Sequence, residues 1–129
     1  MSTNKSILII GDTRNAQRQS NVVTILNGVN QYVIDNNGNL PSSLDGDPNT
    51  AEMIGSSSNG CDACTAVSTD ASCIDLADDL VPIFLANIPF DPQSGSASIT
   101  GYYINETDAG RITVGACEPE QDAVIEVTR

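Results

Sequence analysis

Apolar residues recur at Val22, Ile25, Leu26, Val29, Tyr32 and Val33, in steps of three and four. That is the period of a helix with one buried stripe. It predicts a single amphipathic helix over residues 13–37, with Asp12 as its N-cap and Gly11 before it as a breaker. Arg14, Gln17, Arg18, Asn21, Thr24, Asn27, Gln31 and Asp35 fall on the opposite face and are expected to meet solvent. Asn36-Asn37-Gly38 ends the helix, with Gly38 able to take the left-handed C′ conformation and Pro41 reinforcing the stop. Gly28 costs roughly 1 kcal/mol against Ala inside a helix, so another element is expected to pack closely there. A rod with one apolar stripe must lie on a second layer.

The second layer is legible at the other end of the chain. Thr100 to Asn105, Arg111 to Ala116 and Ala123 to Thr128 alternate in strand fashion, with Thr107-Asp108-Ala109-Gly110 as a hairpin loop. Between helix and strands, residues 38–72 read as loop, punctuated by Pro41, Gly46, Pro48, Gly55 and Gly60. Only Ala51-Glu52-Met53-Ile54 reads as a helical turn. A loop of this length inside a compact domain has to be functional or pinned. Residues 75–86 predict a short helix broken near Pro82. Leu76, Leu80, Ile83 and Phe84 form its buried stripe, and Asp75 sits at the favourable end of its dipole. Pro89 and Pro92 enforce an extended turn. The predicted fold is α+β: a long N-terminal amphipathic helix packed on an antiparallel β-meander of three to four strands. Residues 12–129 form one globular head, divided into helix (12–37), loop with short helix (38–89) and sheet (90–129).

Charge and composition exclude whole classes of function. The 129 residues include 17 acidic, 5 basic and no histidine, for a net charge of −12. Nucleic-acid binding needs a cationic face to release counterions from phosphates, and anionic lipid needs the same. Without histidine there is no Ser-His-Asp triad, Cys-His dyad or His-ligated zinc. The chain is not expected to be an enzyme or to carry a cofactor or a metal. No stretch reaches the roughly 20 apolar residues of a membrane span. Ile7-Leu8-Ile9-Ile10 is too short for the core of a signal peptide and reads as a core strand or the first turn of a helix.

Four cysteines remain: Cys61, Cys64, Cys73 and Cys117. Cys61-Asp-Ala-Cys64 has a zinc-like spacing, but Cys73 and Cys117 do not supply the second pair. A redox dithiol wants positive charge near its thiolate, whereas Asp62, Asp70 and Asp75 surround this one. Two structural disulfides fit better and imply an oxidising compartment. Four cysteines allow three pairings. Easy closure of a short loop favours Cys64–Cys73, and Cys61–Cys117 would then tie the loop to the C-terminal sheet.

Four stretches together resemble the soluble head of a type IV pilin or type II secretion pseudopilin. Residues 12–32 look like the second half of the family's first helix. Asp35-Asn36-Asn37-Gly38-Asn39-Leu40-Pro41 looks like its helix ending. Leu80-Val81-Pro82 through Ile88-Pro89-Phe90-Asp91-Pro92 is similar to its approach to the sheet. Gly101-Tyr102-Tyr103-Ile104 with Gly110-Arg111-Ile112-Thr113-Val114 is similar to its hairpin. The Cys64–Cys73 spacing also looks like that of bacterial pilins stapled in this region. The family begins with a basic leader, a processing glycine and a hydrophobic helix. Residues 1–11 are expected to be a remnant of that stretch or a segment put in its place.

The resemblance implies a structural subunit that self-assembles into a helical fibre on the bacterial surface, with its longer parent held in the inner membrane before assembly. Its partners would be copies of itself, other pilins and a membrane assembly platform. Any membrane contact would run through the missing N-terminal helix. A secretion pseudopilin is the nearest alternative. A minor pilin or adhesin-like binding module is the next, and it predicts Tyr102 or Tyr103 exposed. An enzyme using Cys61-x-x-Cys64 would need a free thiol. Some pseudopilins bind calcium near the sheet loops, which puts Asp91, Glu106 and Asp108 forward as ligands. Asp45-Gly-Asp47-Pro-Asn49 begins like a calcium loop but lacks its later glycine and glutamate. Asn105-Glu106-Thr107 fits the N-x-T acceptor pattern.

Overall fold

The computed structural model describes residues 2–44 and 46–129, with side chains from Ile9 onward. Helix α1 spans Ser2–Asp35. The strands are β1 (Ala51–Ile54), β2 (Thr69–Ile74), β3 (Tyr102–Glu106), β4 (Ile112–Ala116) and β5 (Glu126–Thr128), with a short helix α2 (Ala77–Leu80) between β2 and β3. The fold is α+β, with α1 packed on one five-stranded sheet ordered β2-β1-β3-β4-β5.

The helix starts earlier than the sequence pattern predicts. Gly11 does not break it and Asp12 lies inside it rather than capping it. One interior glycine costs about 1 kcal/mol, which flanking helical turns outweigh. The missing side chain also has a use: a Cβ on Gly11 would lie 2.7 Å from Gln121 Nε2. The C-terminal stop is as expected. Asn37 and Gly38 take φ of 59° and 89°, and the Gly38 N–H donates to the Val33 carbonyl at 2.8 Å. Gly28 is tight as well, since a Cβ there would meet Leu85 Cγ at 2.9 Å.

The sheet departs from a three- to four-stranded antiparallel meander. It is mixed, and two of its strands come from the stretch that reads as loop. Ala51–Ile54 is not a helical turn but β1, paired parallel with β2 and antiparallel with β3. Four residues are too few to display a period, and all four are buried. Flanked on both sides by strands, they bond fully only when extended. Strand β2 carries the polar string Thr69-Asp70-Ala71-Ser72 and lies at the sheet edge, where exposed side chains are tolerated. The expected C-terminal strands are present as β3, β4 and a shorter β5.

Helix α2 is one turn long rather than extending over 75–86. Asp75 Oδ1 accepts the Ala77 N–H at 3.1 Å. Val81, forced out of the helical region by Pro82, is extended at φ −101°, ψ 134°. Leu76 and Leu80 are buried as expected, but Ile83 is 80% exposed. Phe84 packs edge-on to Tyr32.

The core has two sides. Val22, Ile25, Leu26 and Val29 of α1 are fully buried against Tyr102, Ile104, Ile112 and Val114 on the inner sheet face. Each such side chain contributes about 1.5–3 kcal/mol by leaving water. On the outer face Met53, Tyr103, Cys64 and Cys117 form a second cluster beneath the loop between β1 and β2. Alternation along β3 sends Tyr102 inward and Tyr103 outward, as a strand must.

Candidate functional site

The cysteines pin the loop that covers the outer face, with a pairing different from the one that loop length favours. Cys61 bonds Cys73 and Cys64 bonds Cys117. The reason lies in the strands. The Cys61 N–H donates to the Ala71 carbonyl at 2.9 Å, which lays residue 61 alongside β2 and within reach of Cys73. The Cys64 N–H meets Thr69 Oγ1 at 3.3 Å, which turns its side chain over the sheet towards the residue that follows β4. Cys61 and Cys64 thus have different partners, and no cysteine carries a free thiol among the described residues.

The second feature is an ion network where the sequence places a solvent-facing helix surface. Arg18 and Asn21 are buried, with Arg18 fully so. Arg18 lies four residues before Val22 and seven before Ile25, so it continues the apolar stripe by position. Its guanidinium forks onto Asp91, Nε to Oδ2 at 2.7 Å and Nη2 to Oδ1 at 3.2 Å. Nη1 donates to Glu120 Oε2 at 2.6 Å and to Asn15 Oδ1 at 2.9 Å, and Nη2 also donates to Gln93 Oε1 at 3.3 Å. All five donors of the guanidinium are used, as burial of such a group requires. Arg14 holds Glu120 from the other side, Nε to Oε2 and Nη2 to Oε1. Asn15 exchanges two hydrogen bonds with the Glu120 backbone, at 2.9 and 3.0 Å.

The electrostatics match. Burial pushes the Asp91 carboxyl up, but hydrogen bonds from Arg18 and from the Gln93 and Ser94 N–H groups, with the Arg18 charge, hold it below its ordinary value. Hydrogen bonding to Arg14, opposed by burial and assisted by Arg18, brings Glu120 down to about 2. Two arginines and two carboxylates make the network neutral, so the net −12 lies on the rest of the chain. Its action is mechanical: it ties α1 to the Asp91–Ser94 turn and to the loop after β4.

Neither tyrosine of the hairpin is exposed. Tyr102 is buried and its hydroxyl oxygen accepts the Asn21 Nδ2 proton at 2.7 Å. Burial pushes this phenol up to about 12. Tyr103 lies over Gly115, its partner on β4, and donates to Glu126 Oε2 at 2.8 Å. A Cβ on Gly115 would stand 2.3 Å from the Tyr103 hydroxyl. Burial and then the neighbouring Glu126 raise this phenol too.

Of the acids put forward for calcium, Asp91 is not brought to the other two, Glu106 and Asp108, which lie two residues apart at the β3–β4 turn. Asp91 belongs to the Arg18 pair and sits beside Thr100, before β3 begins. Glu106 ends β3, about 13 Å along the strand from its start. Asp45 lies outside the described residues. Asp47 Oδ1 accepts the Asn49 N–H at 2.9 Å, a local turn. No group of three or more Cys, Asp or Glu able to hold a metal occurs among the described residues. Asn105 Nδ2 donates to the Pro48 carbonyl at 3.2 Å. No helix among the described residues is long and apolar enough to cross a membrane. Comparisons with protein-family models, curated proteins and solved structures return no match.

Proposed function

We propose that the chain is a structural subunit of a type IV pilus-like filament, working by packing with copies of itself. One observation carries the reading: the long helix outreaches the body that holds it. Thirty-four helical residues extend about 51 Å at 1.5 Å each. A globule of this chain length is roughly 35 Å across. The head grips α1 from Gly11 onward, while Ile9 and Ile10 are 57% and 50% exposed. Apolar side chains on the stretch of rod that the head leaves uncovered call for an apolar partner. A head-to-tail contact whose rotation does not close gives a helical fibre. The two disulfides support the same reading, since a subunit displayed outside the cell must resist shear and proteases.

Antibodies against this chain test the proposal. Fibres sheared from the source bacterium should be labelled along their whole length. Label only at fibre tips points to a minor subunit, and label only in the cell envelope points to a secretion pseudopilin. Either result overturns the main-subunit reading.

A further inference from the structure

The outer sheet face holds a groove that neither the helix nor the ion network uses. It encloses about 520 Å³ between the stapled loop at Thr65–Val67 and the segment Glu118–Glu126. A second hollow of about 370 Å³ shares Val67, Tyr103 and Glu126 with it, so the two run on across the sheet. Volumes of this order hold a few side chains. Tyr103 and Cys117, which is bridged to Cys64, form the floor.

Both walls are fixed from outside. The Cys64–Cys117 disulfide anchors the loop wall, and Arg14, Asn15 and Arg18 hold Glu120 in the facing wall. Gln121 and Asp122 follow in the left-handed region at φ 60° and 57°, uncommon for residues other than glycine. Next to them Val124 is 82% exposed at the lip. The groove is therefore preformed, which lowers the ordering cost of binding.

Its charge selects the occupant. Glu118, Asp122 and Glu126 stand round the apolar floor, and no Lys or Arg lines either hollow. A second copy would bring its own net charge of −12 into this field. We infer that the groove binds an extended segment of another protein in which apolar side chains alternate with Lys or Arg. Apolar side chains sit against Val67 and Val124, and the cations face the three carboxylates. The inference stands independently of the filament reading.

Titration of the ¹⁵N-labelled chain with the peptide acetyl-KVKVK-amide, beside acetyl-EVEVE-amide, tests it. The basic peptide should shift the amides of Val67, Tyr103 and Ala123–Glu126 saturably, and the acidic one should not. Glu118→Gln with Glu126→Gln should weaken binding roughly fivefold, and Val124→Ser should weaken it as well. Asp78→Asn and Ile83→Ser, exposed and outside the groove, should leave it unchanged. Equal loss in the controls, shifts spread over the whole acidic surface, or none in the groove would overturn the proposal. So would the same amides moving on addition of unlabelled chain, which would make the groove a contact between copies.

Discussion

Arg18 is the residue on which most rests. It has the position of a core residue and the chemistry of a surface one. Removing it leaves Asp91 charged and buried without its partner, a change that costs about 3 kcal/mol. Arg18→Met should lose that much in urea unfolding, and adding Asp91→Asn should recover part of it. The acid limb follows from the same pair. Asp91 and Glu120 are held below their ordinary values, so the folded chain binds fewer protons than the unfolded one. The stability they contribute is present above about pH 4.5, the ordinary value for glutamate, and is lost as pH falls towards about 2. Melting temperatures measured across that window should fall, and Glu120→Gln should flatten the fall. Gly115 makes a separate prediction. Gly115→Val puts carbon where the Tyr103 hydroxyl lies, and overpacking of this kind costs about 1–3 kcal/mol. Loss of near-ultraviolet tyrosine ellipticity would report the displaced ring.

Among the elements, α1 and the hairpin β3–β4 could be read from the sequence because each shows a period long enough to count. The stripe Val22, Ile25, Leu26, Val29 is buried as its spacing requires. Strand β1 could not be read, because the four residues Ala51-Glu52-Met53-Ile54 are too few to separate a helical turn from a central strand. Strand β2 is polar and owes its place to its neighbour. Arg18 escaped for another reason: its partners Asp91 and Glu120 are 73 and 102 positions away, and nothing local announces them. The disulfide pairing was hidden likewise, since loop length says nothing of which strand lies beside Cys61. Digestion of the unreduced chain before Asp62 and Asp70 separates the cysteines and should yield Cys61 joined to Cys73, and Cys64 joined to Cys117. The bridges span 12 and 53 positions, so chain entropy assigns them about 3 and about 4 kcal/mol respectively. Replacing Cys64 and Cys117 by serine should therefore lower stability more than replacing Cys61 and Cys73.

At the scale of the whole molecule, a neutral clamp holds a rod against a sheet, and the rest of the chain carries the net −12. Copies repel at long range, and physiological salt screens that repulsion beyond about 8 Å. On the proposed filament reading, assembly should therefore strengthen as ionic strength rises from low values, which light scattering would follow. The arrangement of the rod and its stapled cover sets the orientation expected in the proposed fibre. Electron cryomicroscopy of sheared surface fibres containing this chain tests it most directly. The account predicts α1 at inner radius with Ile9 and Ile10 buried between subunits, and the loop held by Cys61–Cys73 and Cys64–Cys117 at outer radius. Fibres with the sheet innermost and Ile9 facing solvent would contradict it.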